Sequence, residues 1–289
     1  MRIVDLIRSI EMRLASNPLL AEREGLTSEA EQLVLAAYRR FQKPMTRFEL
    51  YANSATEVDP DLLTFALAQS RHRTEGFPLQ YLTETQQFLD HEYRVGPGVL
   101  IPRPETEILA VTAIEFLRNR AVAPPVGHEI GTGSGILSIE LLSAFPSLIM
   151  HASELSGVAR GFAQENAKRV LGSVDRFSIL SPRSPLEVLE PFDKLPPPDF
   201  LISNPPYLDP AQNEATRDVA QHEPHEALFA PPLKLLHFYE AFARSRRIPT
   251  FLEIPHERAR AIELLFGAMG WKTRLVSDLT GRERVLIAE

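Results

Sequence analysis

Residues 126–142 read VGHEIGTGSGILSIELL, and this stretch decides the fold because three glycines separate a strand-like run from a helical one. The run at 126–130 predicts a strand, and ILSIELL predicts a helix that begins after Gly135. Gly131, Gly133 and Gly135 allow backbone conformations closed to other residues and let a ligand approach the main chain. A turn of this kind at the carboxyl end of a strand is where open α/β sheets bind ligands.

Strands and helices alternate from this turn onward. Strands are predicted at 126–130, 148–153, 176–180, 199–203 and 249–254, and helices at 135–144, 156–170, 232–245 and 256–268. The alternation predicts a mostly parallel, Rossmann-like sheet covered on both faces. Two last strand-like runs surround Thr280 and Gly281 with no helix between them, so we expect the sheet to end in an antiparallel hairpin.

The N-terminal part of the chain has a different pattern. Helices are predicted at 2–15, 28–42, 46–53 and 59–74. Residues 1–75 are therefore interpreted as a small helical domain. The alternating segment LQYLTETQQFLDHEYRV predicts a β-hairpin connector within 76–98. We expect a catalytic domain over 99–289, whose first helix begins near Pro104.

Composition excludes several classes of function. The chain has 289 residues, 44% of them apolar, and it contains no cysteine, which excludes disulfides, thiolate zinc sites and cysteine nucleophiles. The formal net charge of −7 does not favour binding to duplex DNA. We find no apolar run long enough to span a membrane and no signal-peptide pattern, and we expect a cytoplasmic protein without a membrane partner.

The glycine pattern also indicates which cofactor to expect. A dinucleotide fingerprint would need its third glycine one residue later, where Ile136 stands, and no Walker lysine follows. The pattern E-x-G-x-G-x-G, which begins at Glu129, instead resembles the first motif of S-adenosylmethionine-dependent methyltransferases. Glu154 stands about 20 residues further on, at the end of the next strand, where an acidic side chain binds ribose hydroxyls.

A second motif, NPPY, follows the predicted strand at 199–203. Pro205 and Pro206 cannot continue a strand, because neither has an N–H and each fixes its own φ. The side-chain oxygen of Asn204 and the carbonyl of Pro205 can accept two N–H bonds from a planar amide or aromatic amine, and Tyr207 can cover its flat face. The predicted catalytic residues are Asn204, Pro205 and Tyr207, and the predicted substrate site also includes Pro206.

NPPY does not choose the substrate by itself, because adenine N6 methyltransferases and protein glutamine methyltransferases both present this motif. The stretch VLIPRPETE at 99–107 distinguishes these two classes of enzyme. It is similar to a hallmark of the glutamine methyltransferases and is not expected in DNA methyltransferases. With EIGTGSG, SNPPYL, HEPHEAL and DLTGRERV in the same order, the chain resembles the HemK/PrmC family of release factor glutamine methyltransferases from about Phe77 to its end.

This resemblance implies an activity and a set of residues. The family's helical N-terminal domain docks a peptide chain release factor, and its catalytic domain methylates the side-chain nitrogen of the glutamine in the factor's Gly-Gly-Gln tip. The cofactor is S-adenosyl-L-methionine. Its predicted binding residues here are Gly131, Thr132, Gly133, Ser134, Gly135, Glu154 and Asn204.

The chain departs from the family pattern at three places. The family usually has Asp where Glu154 stands, and it has glycine where Pro255 stands. The acidic and aromatic pair that frames the adenine in the family is replaced near Arg183 and Ser184. Two alternatives stay open: an adenine N6 nucleic-acid methyltransferase and a non-catalytic factor-binding protein.

The histidines of HEPHE, at 222–226, are three residues apart with Pro224 between them. This spacing lacks the helical geometry of a metal-binding H-E-x-x-H motif. We therefore expect loop packing rather than a metal site.

Overall fold

The computed structural model describes residues 1–22, 24–120, 126–182, 192, 195–208, 221–229 and 232–289. The chain divides into two compact units, Met1–Thr85 and Gln86–Glu289. The division falls inside the segment that was predicted to connect two domains.

The first unit is helical. Its helices are α1 (Ile3–Ala15), α2 (Pro18–Ala21), α3 (Leu26–Arg40), α4 (Arg47–Ala52), α5 (Pro60–Thr74) and α6 (Leu79–Thr83). α1 buries an apolar stripe at helical spacing against α3 and α5, formed by Ile3, Leu6, Ile7, Ile10 and Leu14. α4 begins at a capping box in which Thr46 and Glu49 satisfy each other's backbone N–H groups.

The predicted hairpin is shorter than its alternating sequence suggested. β1 (Thr85–Phe88) pairs with β2 (His91–Arg94), whereas Leu79–Thr83 is helical. The prediction of extended chain from Leu79 was wrong because Leu79 and Leu82 are three residues apart and both are buried in the core of the first unit. A short apolar segment fits both the helical and the strand period. The packing of these two side chains in the core therefore decides that the segment is helical.

The second unit contains a seven-stranded sheet with the order β5-β4-β3-β6-β7-β9-β8. Its strands are β3 (Val126–Ile130), β4 (Ile149–Ser153), β5 (Phe177–Leu180), β6 (Phe200–Ser203), β7 (Thr250–Glu253), β8 (Thr273–Ser277) and β9 (Glu283–Ala288). β3 to β7 pair in parallel, and β9 is antiparallel to both β7 and β8. The predicted mostly parallel sheet with an antiparallel C-terminal hairpin is confirmed.

Helices cover both faces of this sheet. They are α7 (Pro104–Arg118), α8 (Ile136–Ala144), α9 (Gly157–Leu171), α10 (His225–Leu228), α11 (Pro232–Arg244) and α12 (Ala259–Ala268). Neighbouring residues of one strand belong to the cores on opposite faces of the sheet. Phe251 packs in the core that includes residues of α7, α8 and α9. Leu252 packs in the core that includes residues of α11 and α12. Such alternation is expected of strands buried on both sides.

Candidate active site

Strand register brings the predicted site residues to one edge of the sheet. Ile130, the last residue of β3, pairs with Ser153 of β4 and with Ser203 of β6. The next residue of each strand is therefore Gly131, Glu154 or Asn204. The chain passes from β3 to β4 on one side and later returns to β6 on the other, so this edge is also the switch point where open α/β sheets bind ligands.

The glycine loop is held by its backbone. The N–H groups of Gly131 and Thr132 both donate to the carbonyl of Ser153, at 2.9 and 3.0 Å. Gly131, Gly133 and Gly135 have φ values of +72°, +55° and +87°, which L-residues with a side chain rarely adopt.

The three glycines differ in what surrounds them. A Cβ on Gly131 or Gly133 would meet no atom within 4 Å, whereas one on Gly135 would lie 3.1 Å from the Cβ of Ala163. Gly135 therefore lets α8 pack closely on α9. Gly131 and Gly133 instead leave open space beside the loop.

The buried carboxyl group of Glu129 stabilises the glycine loop through hydrogen bonds. Glu129 accepts a 2.6 Å bond from the hydroxyl of Thr132 and further bonds from the hydroxyl and the backbone N–H of Ser138. Burial raises the pKa of Glu129 to about 7, and the hydroxyl bonds counteract that rise. Glu129 thus ties the loop to the first turn of α8.

Glu154 joins the end of β4 to the same loop. Its carboxylate accepts bonds from the backbone N–H groups of Gly133, at 2.9 Å, and Ser156, at 2.8 Å. The side chain is only partly buried, so it stands at the rim of the loop. An acceptor at this place can meet hydroxyl groups of a ligand that enters the open space beside Gly131 and Gly133.

A pocket contains most of the predicted cofactor residues together with Asn204. Its wall is formed by Leu100, Pro102, Arg103, Thr106, Glu129, Gly131, Thr132, Gly133, Ser134, Ile136, Leu137 and Asn204. The IPRPETE segment, the glycine loop and the first residue of NPPY thus border one cavity. Asn204 is part of the same pocket wall as the glycine loop.

The two ends of NPPY are anchored differently. The Nδ2 amide group of Asn204 donates to Oγ1 of Thr106 at 3.1 Å, which leaves Oδ1, the acceptor, for a ligand. The Tyr207 hydroxyl donates to Oε1 of Glu253 at 2.8 Å. Burial and the nearby Glu253 carboxylate raise the pKa of Tyr207 far above its usual value, so the hydroxyl keeps its proton. Pro205 is buried between them.

Curated relatives show the family. The release factor glutamine methyltransferase of Moorella thermoacetica is 31% identical over 84% of this chain and 86% of its own length. That of Deinococcus radiodurans is 31% identical over 84% of this chain and 86% of its own length. The chain belongs to the release factor glutamine methyltransferase family. The resemblance seen in its sequence is confirmed.

Two further comparisons were made. No protein-family model matches the sequence. A solved structure, the hMettl16 catalytic domain in complex with MAT2A 3'UTR hairpin 1, aligns with a TM-score of 0.50 over 90% of each chain at 13% identity. At this identity the likeness concerns the fold alone.

In this member of the release factor glutamine methyltransferase family, the HEPHE segment supports the pocket. The buried carboxylate of Glu223 accepts a 2.7 Å bond from Arg103 and a 2.9 Å bond from the backbone N–H of Ile101. Arg103 is the residue before α7, and its side chain does not cap that helix. It lines the pocket, and Glu223 holds it there.

Sequence reasoning missed three contributors: Thr106, Glu223 and Glu253. A signal existed for all three, and Glu223 lies inside HEPHEAL. Thr106 lies inside VLIPRPETE, and Glu253 is the last residue of β7, at the same sheet edge as Asn204. Arg183 and Ser184, which stand near the positions of the family's adenine-framing pair, lie outside the described residues.

The S-adenosylmethionine predicted from the sequence suits these residues. Gly131 and Gly133 leave space for a group beside the backbone, and Glu154 supplies oxygens at the rim that can accept bonds from hydroxyl groups.

Among the described residues, no helix combines the length and the apolar character that crossing a bilayer requires.

Proposed function

We propose that this chain transfers a methyl group from S-adenosyl-L-methionine to the side-chain amide nitrogen of the glutamine in the Gly-Gly-Gln motif of peptide chain release factors. The proposal is supported above all by the position of Asn204, which lines the glycine pocket with its amide nitrogen held by Thr106. The names of the relatives supply the substrate.

The glycine loop and Glu154 would hold the cofactor. Gly131 and Gly133 leave open space along the backbone, and the Glu154 carboxylate can accept bonds from ribose hydroxyls. When bound, S-adenosylmethionine supplies an electrophilic methyl group on a sulfonium centre. The chain must then bring a weak nucleophile to that group, because an amide nitrogen's lone pair is delocalised.

Asn204 and Pro205 would orient the substrate amide. A carboxamide has two N–H donors on one nitrogen, and Oδ1 of Asn204 and the carbonyl of Pro205 can accept one each. Their positions are fixed before the substrate arrives, because Thr106 holds one side chain and two consecutive prolines stiffen the backbone. Fixed acceptors stabilise positive charge that develops on the nitrogen during transfer. A strong general base is unnecessary, since the methylated nitrogen loses its proton readily.

Tyr207 would contribute through its ring. Its hydroxyl is engaged by Glu253 and its ring packs partly against the core of the unit, so the ring rather than the hydroxyl would have to meet a flat substrate beside Asn204. We assign the helical first unit to docking of the release factor, following the family. Action on translation factors implies a cytoplasmic enzyme.

The test is methyl transfer from labelled S-adenosylmethionine to purified release factor. A factor whose tip glutamine is replaced by glutamate serves as the matched control. Label on the glutamine factor alone supports the proposal. Label on both factors, or on an adenine-containing oligonucleotide instead, would reject it.

A further inference from the structure

Two buried polar side chains lie behind the ends of the tetrapeptide at 204–207. Thr106 is 2% exposed and Glu253 is fully buried, at 0% exposure. Thr106 accepts the Nδ2–H of Asn204, and Glu253 accepts the hydroxyl proton of Tyr207. Thr106 borders the pocket but is almost fully buried, and Glu253 is not part of the pocket wall, so we expect both to act mainly through the groups that they contact.

We propose that Thr106 is a positioning residue that sets the direction of the Asn204 carboxamide, with Glu253 as its buried support. This inference rests on the proposed function, because it concerns how the pocket selects a carboxamide. It assigns no contact with the reacting atoms to either residue.

The direction of the carboxamide decides what Asn204 can recognise. One end of the group is an acceptor oxygen, and the other is a donor nitrogen. Because Nδ2 is engaged by Thr106, Oδ1 is left to meet the N–H of a substrate amide. The reversed direction would present donors, which repel another amide NH₂ and attract a carboxylate.

Thr106 can act as an acceptor only if its own proton is directed elsewhere. Glu253 supplies the place: its Oε2 has no hydrogen-bond partner within the part of the chain that the structure describes, and the Thr106 hydroxyl acts on this carboxylate to lower its pKa. A hydroxyl whose proton points toward a carboxylate presents its lone pairs to Asn204. The other groups that act on Glu253 are Tyr207, Glu105 and Arg284.

The helix alone does not explain this threonine. The backbone N–H of Thr106 bonds to the carbonyl of Arg103 at 3.1 Å, as a first helical turn requires. The hydroxyl is directed away from that turn to Asn204, whose position is 98 residues further along the chain. A residue that only stabilised α7 would affect folding, and it would leave the choice between amide and carboxylate unchanged.

The experiment compares Thr106→Val, which keeps the shape and removes the hydroxyl, with Thr106→Ser, which keeps the hydroxyl. Each variant is assayed with release factor as substrate and with the Gln→Glu tip factor as competitive inhibitor. For Thr106→Val we expect kcat to fall about tenfold, the size expected for one lost hydrogen bond with its geometry. Inhibition by the glutamate factor should strengthen relative to wild type. Thr106→Ser should restore both properties.

Several outcomes would overturn the inference. Thr106→Val with wild-type kcat and wild-type selectivity would do so, even with a lower Tm, because that pattern describes a structural residue. Equal losses in the valine and serine variants would do so too. If the valine variant does not fold, Thr106→Ala replaces it with the same criteria. An inactive wild-type enzyme would instead count against the proposed function, so the two failures are distinguishable.

Discussion

The carboxylate of Glu154 accepts a 2.9 Å hydrogen bond from the backbone N–H of Gly133. This bond joins the end of β4 to the loop after β3, which are neighbours in the sheet. It places a carboxyl group at the rim of the loop, bonded to Gly133, whose missing side chain leaves open space. Cofactor affinity should therefore depend on this side chain more than on other acidic residues of the same unit.

Replacing Glu154 with alanine should weaken S-adenosylmethionine binding at least tenfold, because charge-assisted hydrogen bonds are worth about 1.5–3 kcal/mol. Calorimetry measures the Kd directly. Glu154→Asp, which keeps the carboxylate, should lie closer to wild type. Glu165→Ala, at an exposed ion pair with Arg94, controls for net charge and should leave the Kd unchanged. An alanine variant at 154 with wild-type affinity would remove this residue from the cofactor site.

Gly133→Ala should cost both stability and cofactor affinity. The left-handed φ of +55° makes alanine strained by about 1 kcal/mol, and the new Cβ would enter the open space at the pocket. Gly172→Ala is the matched control, since Gly172 has a φ of +74° and equally open surroundings at the end of α9. Denaturation should show similar losses for both variants, whereas calorimetry should show weaker binding only for Gly133→Ala. Equal cofactor affinities of the two variants would mean that the cofactor does not occupy the space beside Gly133.

Asn204→Ala should abolish most activity and leave the fold intact. Loss of one preorganised acceptor typically lowers kcat by about 10²-fold or more. Asn166 provides the contrast: it is fully buried and bonds to the backbone of Arg94 and Ser134. Asn166→Ala should therefore unfold at a clearly lower temperature than Asn204→Ala. Thermal melts in the reverse order would indicate that Asn204 is a structural residue.

Glu253 should make stability depend on pH. Burial raises its pKa from 4.5 to about 7, so the native state holds a proton that the unfolded state has already released. The contribution of Glu253 to the free energy of unfolding is therefore fully present below about pH 4.5 and is lost as the pH rises through about 7. The free energy of unfolding falls by about 3 kcal/mol over this pH range.

The variant Glu253→Gln removes this titration and keeps an acceptor for Tyr207. Denaturation at about pH 5 and pH 8 should show a smaller fall in the free energy of unfolding for the variant than for wild type. Glu129, whose pKa is also raised to about 7, is present in both proteins and cancels in the difference. Parallel pH profiles would contradict a titrating Glu253.

Patterns local in sequence were sufficient to predict the order of strands and helices around the glycine loop. The strand that precedes Gly131 and the helix that follows Gly135 were both predicted to within a residue, because a strand-like run and a glycine turn are contiguous signals. The switch-point position of Asn204 could also be expected, since the carboxyl ends of parallel strands meet at one edge.

Contacts between distant segments were not predictable in the same way. Thr106 and Asn204 are 98 residues apart, and Arg103 and Glu223 are 120 apart. No periodicity encodes such pairs, since they depend on how helices and loops pack on the finished sheet. The helix at Leu79–Thr83 was missed for a related reason, because its burial is decided by tertiary contacts.

The most direct measurement is a crystal structure of the enzyme with S-adenosylhomocysteine and a Gly-Gly-Gln peptide. We expect the glutamine nitrogen to lie within hydrogen-bond distance of Oδ1 of Asn204 and the carbonyl of Pro205, with the cofactor product along the glycine loop. A peptide bound away from Asn204, or a cofactor product bound away from Gly131 and Gly133, would contradict the proposed site.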